Sequence, residues 1–159
     1  MSLQDFNIEI VKNPDDSLKR QIAELTQVVF PPPPSYPLSY SGEMVGKLVE
    51  TYNRIFSDKN KDPILVLAKN QEGKIVGFSF CYRENNLVFG HTLGVLENYR
   101  NIGIGSKLVT MVEDYYRDRG YNSFEAYCND SALSFFEKMG FECSGCDSYY
   151  GWKIIKRLK

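Results

Sequence analysis

Residues 93–107 carry the most structural information in this chain, and they read Leu93-Gly94-Val95-Leu96-Glu97-Asn98-Tyr99-Arg100-Asn101-Ile102-Gly103-Ile104-Gly105-Ser106-Lys107. The segment predicts the end of a strand, a loop of small and polar residues, and the start of a helix. Gly103 and Gly105 let the backbone approach a ligand without a Cβ in between. The free N–H groups of a first helical turn favour an anion, and Arg100 and Lys107 add positive charge. We therefore expect a phosphate or pyrophosphate at this loop.

Three kinds of phosphate-binding loop compete for this segment. A Walker loop requires Gly, four residues and then Gly-Lys-Ser/Thr, and residues 103–107 do not meet that spacing. A dinucleotide-binding fingerprint requires a third glycine where this chain has Leu108, although Glu125 lies about where a ribose-binding acid would be. The third pattern, Arg/Gln-x-x-Gly-x-Gly/Ala, is met in full by Arg100, Gly103 and Gly105.

The periodicity of apolar residues predicts seven strands and four helices in the order β-α-α-β-β-β-α-β-α-β-β, a mixed α+β sheet in a single domain over residues 1–159. The predicted strands are residues 7–11, 64–68, 74–82, 87–95, 122–128, 141–144 and 151–158. The predicted helices run from Asp15 or Asp16 to Phe30, onward from Ser41, from Gly103 to Arg119 and from Ser131 to Met139. Prolines 31–34 end the first helix, so residues 31–40 are expected to form a stiff loop.

If alternation along strand 87–95 is unbroken, one of its faces carries Leu87, Phe89, His91, Leu93 and Val95. His91 is the single histidine of the chain. If the alternation holds, it lies on the same face as Leu93 and Val95, just before the glycine loop.

Composition excludes several classes of protein. The chain has 159 residues, of which 43% are hydrophobic and 25% charged, and 19 Lys and Arg against 20 Asp and Glu leave a formal charge of -1. That balance argues against nucleic-acid binding. No apolar run approaches the roughly 20 residues that span a bilayer. Residues 1–9 do not resemble a secretory signal, so we expect a soluble cytoplasmic protein with no membrane partner.

The four cysteines lie at positions 81, 128, 143 and 146. Cys143 and Cys146 form a C-x-x-C motif, which is compatible with half a zinc site or a redox pair. A second pair of ligands is missing, and His91 lies far upstream. We expect reduced structural thiols and no metal.

A second motif lies downstream, at Asn129-Asp130-Ser131-Ala132-Leu133-Ser134-Phe135-Phe136-Glu137-Lys138-Met139-Gly140-Phe141. It is similar to a signature of the GNAT superfamily of N-acetyltransferases, Asn-x-x-Ala-x-x-Phe/Leu-Tyr-Glu-Lys-x-Gly-Phe. The glycine loop and the order of elements resemble the same superfamily over essentially the whole chain. The resemblance implies the GNAT fold, a mixed and mostly antiparallel sheet of about seven strands flanked by four helices.

The resemblance also implies acetyl-CoA as co-substrate. Its pyrophosphate would lie on the backbone N–H groups of Asn101, Ile102, Gly103, Ile104, Gly105 and Ser106, beside Arg100 and Lys107. Its pantetheine would pair like an added strand along Leu93 and Val95, where the fourth and fifth strands separate. The N–H near Val95 would polarise the thioester carbonyl, and the side-chain amide of Asn129 would hold the pantetheine.

Direct acetyl transfer requires a neutral amine, and most amines are protonated at pH 7. Family members often place a base near His91, whose imidazole has a suitable pKa. The alternative is a strand histidine satisfied by a backbone carbonyl. The family commonly has a tyrosine as general acid where this chain has Phe136. The proton for the departing CoA thiolate would then have to come from water, or from the hydroxyl group of Tyr127, Tyr149 or Tyr150.

In the family, the segment between the first two helices and the segment before the last strand border the acceptor. The resemblance therefore implies four tyrosines as candidates for contact with the acceptor: Tyr36 and Tyr40 before the second helix, and Tyr149 and Tyr150 before the last strand. The alternative is that they only cover the core. Three short stretches are loosely similar to the branch of the family that acetylates protein N-termini: Val-Val-Phe-Pro at residues 28–31, Thr-Leu-Gly-Val at residues 92–95, and the Tyr-Tyr pair. The sequence thus predicts an acetyl-CoA-dependent N-acetyltransferase acting on a small amine or a peptide, with a homodimer left open. A non-catalytic acyl-CoA-binding module and a nucleotide-binding oxidoreductase are the alternatives.

Overall fold

The computed structural model describes residues 1–31 and 39–159, with Ser39–Ser41 described by their backbone alone. Its strands are β1 (Asn7–Val11), β2 (Ile64–Lys69), β3 (Ile75–Glu84), β4 (Leu87–Val95), β5 (Ser123–Cys128), β6 (Glu142–Asp147) and β7 (Gly151–Arg157). Its helices are α1 (Asp16–Val29), α2 (Ser39–Ser57), α3 (Ile104–Arg117) and α4 (Asp130–Lys138). The predicted order of strands and helices is confirmed.

The strands form one sheet in the order β1-β2-β3-β4-β5-β7-β6. All neighbouring strands are antiparallel except β4 and β5, which run parallel. The parallel ladder is short, because it joins only residues 88–90 to residues 124–126. Gly90 permits that close pairing, since a Cβ at this position would lie 2.8 Å from the Phe124 ring. Beyond Gly90 and Ala126 the two strands are no longer paired.

Two apolar layers cover the sheet. In the first, α3 and α4 pack with residues such as Leu108, Val112 and Phe136 against Val66 and Ile154. In the second, α1 and α2 pack on the opposite face with Ile22, Tyr52 and Ile55 against Leu65, Leu67 and Phe80. β2 contributes alternate residues to both layers, which explains its continuous apolar sequence. Each large side chain buried in this way contributes roughly 1.5–3 kcal/mol to stability.

The helix ends agree with the sequence in one case and differ in another. Asp15 caps α1, since its carboxylate accepts a hydrogen bond of 2.7 Å from the Leu18 amide. α2 begins at Ser39, whereas the sequence predicted a start capped by Ser41 and a loop through Tyr40. The last proline before it is Pro37, so every residue of Ser39–Ser57 has the backbone amide that a helix requires.

A β-bulge interrupts the ladder between β3 and β4. Phe80 pairs with Thr92 and Cys81 pairs with Gly90, which leaves His91 as the extra residue on β4. An extra residue reverses the alternation of side chains beyond it. The bulge therefore decides which face of the sheet each side chain of β4 occupies.

The prediction that residues 87, 89, 91, 93 and 95 share one face is wrong because of this bulge. Leu93 and Val95 pack into the layer of α3 and α4. The His91 ring lies on the opposite face, 5.2 Å from the ring of Phe80 in the layer of α1 and α2. Phe89 lies on that face too, with its ring 5.5 Å from that of Tyr82.

Candidate functional site

The separation of β4 from β5 opens a cleft of about 580 Å³ on the side of α3 and α4. Most residues that the sequence assigned to the co-substrate line this cleft: Leu93, Val95, Arg100, Asn101, Gly103, Gly105, Ser106 and Asn129. The end of α1 and one side of α4 complete its walls. Segments that are far apart in the chain thus meet at the site that the glycine loop predicted.

The free edge of β4 faces this cleft with unpaired backbone groups. The Leu96 amide donates to the Val76 carbonyl at 2.9 Å, and Gly77 pairs with Val95. In an antiparallel ladder these contacts make Val95, and likewise Leu93, members of non-hydrogen-bonded pairs. The N–H and C=O groups of both residues therefore point away from β3, towards the space that β5 has left.

The glycine loop leads into α3 through two left-handed residues. Asn101 has φ 63° and Gly103 has φ 94°. Asparagine tolerates this region better than other residues with a Cβ, so it replaces glycine here without distorting the loop. The Lys107 amide donates to the Gly103 carbonyl at 3.0 Å, and the three amides before it, at residues 104–106, have no acceptor within the helix.

The side chains of three residues assigned to the cradle do not line the cleft. Ile104 is buried in the core, and Ile102 packs against the same cluster. Lys107 is exposed and lies outside the cleft, and its amide is bonded to the Gly103 carbonyl. Ile104 and Lys107 differ in burial because successive side chains of the first helical turn point in different directions.

Arg100 holds the loop against the strand that precedes it. Its Nε donates to the Val95 carbonyl at 2.9 Å. This bond satisfies one of the two free backbone groups of Val95 and leaves the Val95 N–H directed into the cleft. The guanidinium group keeps its charge close to the start of α3.

Asn129 caps α4, and this role uses half of its side-chain amide. Its Oδ1 accepts from the Ala132 amide at 3.0 Å and from the Ser131 hydroxyl at 2.8 Å. Only the Nδ2 group remains to donate to a ligand. The sequence-based prediction of a side-chain amide contact at Asn129 is therefore restricted to donation.

Several cleft residues were missed in the sequence, namely Val29, Phe30, Tyr99, Ser131, Ala132 and Phe135. Tyr99 lies inside the glycine loop and Phe135 inside the second motif, but each read as an ordinary apolar position. Phe136 lines the cleft as well, with its ring 5.3 Å from that of Phe141. It has no proton to donate.

His91 lies where β4 and β5 begin to separate, on the sheet face opposite the cleft. Its Nδ1 is 2.7 Å from the Thr92 hydroxyl. Burial, and in second place the positive charge of Arg54, lower the pKa of the imidazole below its ordinary value. The ring is therefore neutral at pH 7 and able to accept a proton.

Of the four tyrosines that are candidates for contact with the acceptor, two are described with their side chains. Tyr149 and Tyr150 occupy the turn between β6 and β7, where the Asp147 carboxylate accepts from their amides at 2.7 and 2.9 Å. These bonds, the one from Tyr150 first, lower the pKa of Asp147. Tyr36 lies outside the described residues, and so does the side chain of Tyr40.

All four thiols are free, with Cys81 and Cys128 buried and Cys143 and Cys146 exposed. Within residues 1–31 and 39–159, no three His, Cys, Asp or Glu side chains are grouped to hold a metal ion. In the same part of the chain, every helix is too short or too polar to cross a membrane.

Solved structures share this fold at low sequence identity. PaiA N-acetyltransferase from Thermoplasma acidophilum, solved in complex with coenzyme A, matches with a TM-score of 0.70 and 19% identity over 95% of this chain and 99% of its own. The protein PH1933 from Pyrococcus horikoshii OT3 matches with a TM-score of 0.76 and 19% identity over 97% and 99% of the two chains. The GNAT family N-acetyltransferase YhbS from Escherichia coli, in complex with CoA, matches with a TM-score of 0.69 and 21% identity over 97% and 82%.

A search of curated protein sequences finds no match. The model of the Acetyltransferase (GNAT) family, in contrast, matches residues 20–141, which is well over half of the chain. That span includes both motifs and every wall of the cleft. The chain belongs to the Acetyltransferase (GNAT) family.

Proposed function

We propose that this protein transfers the acetyl group of acetyl-CoA to a primary amine by direct attack. The observation that carries the proposal is the meeting, in one cleft, of the free β4 edge and the unpaired amides of α3. The unpaired amides of α3 suit the pyrophosphate of CoA, and the free β4 edge suits the amide groups of its pantetheine arm. The CoA complexes of PaiA and YhbS, which share the fold, support the same co-substrate.

The cradle at α3 would hold the pyrophosphate. The amides of residues 101–106 and the helix dipole attract negative charge, and Arg100 and Lys107 stand beside them. A Cβ at Gly105 would already lie 3.4 Å from the Phe135 ring, so larger side chains there would narrow the cleft. The residues present therefore suit a phosphate-bearing ligand.

The β4 edge would bind the pantetheine arm. Leu93 presents its N–H and C=O and Val95 its N–H, since Arg100 already occupies the Val95 carbonyl. Such an edge accepts an extended amide chain as a strand would. Asn129 would donate from Nδ2 on the other side of the cleft. The Val95 N–H would then face the thioester carbonyl, where one donor stabilises developing negative charge.

His91 would remove the proton from the attacking amine. Acetyl-CoA supplies the acetyl thioester: the amine nitrogen bonds to the acetyl carbon, the C–S bond breaks, and the proton passes to the imidazole. Since β4 and β5 separate at His91, the base and the Val95 N–H lie on the two sides of the same opening. An acceptor arriving from the face of α1 and α2 would meet both.

The departing thiolate has no tyrosine at position 136. A thiol has an ordinary pKa of about 8.5, so its thiolate is a tolerable leaving group near neutral pH. Water in the open cleft can protonate it. Phe136 is also the observation that favours a second candidate function, a non-catalytic acyl-CoA-binding module.

One experiment separates these functions. The protein is incubated with acetyl-CoA and a panel of alkylamines, aromatic amines and peptides with free N-termini, and thiol release is followed together with product mass. Transfer to one acceptor class supports the enzyme, and transfer to peptides alone places it with acetyltransferases of protein N-termini. Binding of acetyl-CoA without transfer to any amine contradicts the enzyme and supports the binding module. We also propose a cytoplasmic location, on the sequence argument alone, and homodimerisation remains a prediction.

A further inference from the structure

The face of the sheet opposite the cleft carries a line of aromatic rings in contact with one another. From β3 outward, neighbouring centroids are 5.5 Å apart for Tyr82 and Phe89, 6.4 Å for Phe89 and Tyr127, 5.4 Å for Tyr127 and Tyr150, and 5.0 Å for Tyr150 and Tyr149. We call these five residues the aromatic strip. Such distances are typical of interacting aromatic pairs.

The outer part of the strip is open to solvent. Tyr127 is 37% exposed, Tyr150 64% and Tyr149 86%. Among the described residues, α1 and α2 pack over β2 and β3 on this face, and Tyr127, Tyr149 and Tyr150 are not part of that cluster. Exposed and adjoining rings are typical of binding surfaces, because a rigid ring adds contact area at a small cost in conformational entropy.

The strip crosses the sheet at the opening between β4 and β5. The parallel ladder ends with Gly90 opposite Ala126, so the next residues along the two arms are His91 and Tyr127. The rings of His91 and Tyr82 are 6.3 Å apart, which joins the candidate base to the strip. His91 and Tyr127 thus each follow the last paired residue of their strand, at the start of the same opening.

Two carboxylates lie beside the strip. Glu125 forms an ion pair of 3.3 Å with Lys153, whereas Asp147 accepts from the backbone of its own turn through Oδ1 and forms no ion pair. A polyamine could place a second ammonium group on Asp147, whereas an uncharged ring would use the rings of the strip. Spermidine is therefore the comparison that separates these two kinds of acceptor.

We propose that the acceptor is a primary amine with an aromatic ring a short alkyl chain away, and that Tyr127 and Tyr150 select it by packing against that ring. This proposal rests on the proposed function, since it names the acceptor of the same reaction. A free aromatic amine and a peptide whose first residue is aromatic share this chemistry. The two sources are separated by the arms of the test.

The test compares 2-phenylethylamine with 2-cyclohexylethylamine, which has nearly the same size but no aromatic face, and with spermidine. A phenylalanine-initiated peptide forms the fourth arm. For each amine, kcat/KM is measured with wild-type protein and with Tyr127→Ala, Tyr150→Ala and Tyr150→Phe. Binding of the two ring amines to the protein saturated with CoA is measured by calorimetry, which does not depend on turnover.

We expect wild-type protein to prefer the phenyl over the cyclohexyl amine, and each alanine variant to reduce that preference about tenfold, as lost aromatic contacts worth about 1.4 kcal/mol would. Tyr150→Phe keeps the ring and should keep the preference. Equal preference in wild type and alanine variants, or a wild-type preference for spermidine, overturns the proposal. A peptide favoured over the free amine identifies the source as a peptide N-terminus.

Failure of this inference is distinguishable from failure of the proposed function. Equal kcat/KM for the phenyl and the cyclohexyl amine would overturn selection by the aromatic strip, and the proposed acetyltransferase activity would still stand. Ring-selective binding in the calorimeter without acetyl transfer supports the strip and contradicts the enzyme. Circular dichroism and acetyl-CoA affinity of each variant show whether it is folded.

Discussion

Three properties of His91 bear on its proposed role as a base. It is the extra residue of a bulge, it lies beside the opening between β4 and β5, and its imidazole has a lowered pKa. Since the unfolded chain protonates this group near pH 6.5 and the folded protein only at lower pH, its contribution to stability declines as the pH falls below about 6.5. The same lowered pKa would keep the proposed base neutral near pH 7.

We predict that His91→Gln reduces kcat/KM for the acceptor about a hundredfold and removes the acidic limb of the pH–rate profile. In wild type that limb should lie below pH 6.5, because burial and Arg54 lower the pKa. Thr92→Val removes the neighbour of Nδ1 while keeping the side-chain shape, so it serves as the matched variant and should keep the limb. A profile of His91→Gln identical to that of wild type would remove His91 from the mechanism.

The sequence predicted which residues line the cleft better than it predicted the face of the sheet on which His91 lies. Glycines, a basic residue and a helix start form a local pattern, and the cleft indeed collects most of the residues assigned to it. The face of His91 depended instead on one extra residue in β4, and no feature of the sequence marks that bulge. Tyr99 and Phe135 were missed because an aromatic residue reads as core until its neighbours in space are known.

At the scale of elements, the start of α4 connects stability with binding. Asn129 accepts from the Ala132 amide at 3.0 Å through Oδ1 and keeps Nδ2 free beside the cleft. In the proposed function the two halves of this amide group would have separate tasks, capping by Oδ1 and ligand binding by Nδ2. A serine at this position would keep a capping oxygen but would have no amide to donate.

We predict that Asn129→Ala lowers the free energy of unfolding by about 1 kcal/mol, whereas Asn129→Ser changes it by a few tenths. Both should weaken acetyl-CoA binding about fivefold, since both lack Nδ2 and a hydrogen bond contributes about 1 kcal/mol. Urea denaturation measures the first effect and calorimetry the second. Unchanged acetyl-CoA affinity in Asn129→Ser would show that Nδ2 does not touch the ligand.

The elements themselves were predictable because their signals are local. Asp15 as the cap of α1 and the glycine before α3 mark helix starts in the sequence. The start of α2 was predicted late because Ser41 is as good a cap by residue type as any residue before Ser39. The parallel pairing of β4 with β5 over only three residues is a long-range property that no local pattern contains.

At the scale of the whole molecule, an ion pair with a buried carboxylate joins α3 to β7 and to the end of α4. Lys156 on β7 lies 2.8 Å from the Glu113 carboxylate on α3 and also donates to the Met139 carbonyl at the end of α4. The Glu113 side chain is 7% exposed. Removing the lysine would leave a buried carboxylate without a partner.

We predict that Lys156→Met lowers the free energy of unfolding by about 3 kcal/mol, as the loss of one partner of a buried pair does. The double variant Glu113→Gln with Lys156→Met should recover much of this loss. Asp114→Ala, which breaks the more exposed pair with Arg117, is the control and should change stability by less than about 1 kcal/mol. Equal losses in Lys156→Met and Asp114→Ala, measured by urea denaturation, would contradict the role of the buried pair.

The measurement that tests the account most directly is calorimetric titration of acetyl-CoA into wild-type protein, Ser106→Glu and Ser106→Gln. Ser106 lines the cleft in the first turn of α3, where a carboxylate suits the helix dipole but would face the phosphates. We predict that wild type binds, that Ser106→Gln stays within about threefold of it, and that Ser106→Glu loses about 2 kcal/mol, or about thirtyfold in affinity. No binding by wild type, or equal affinity in all three proteins, would contradict the assignment of the α3 amides to the pyrophosphate of acetyl-CoA.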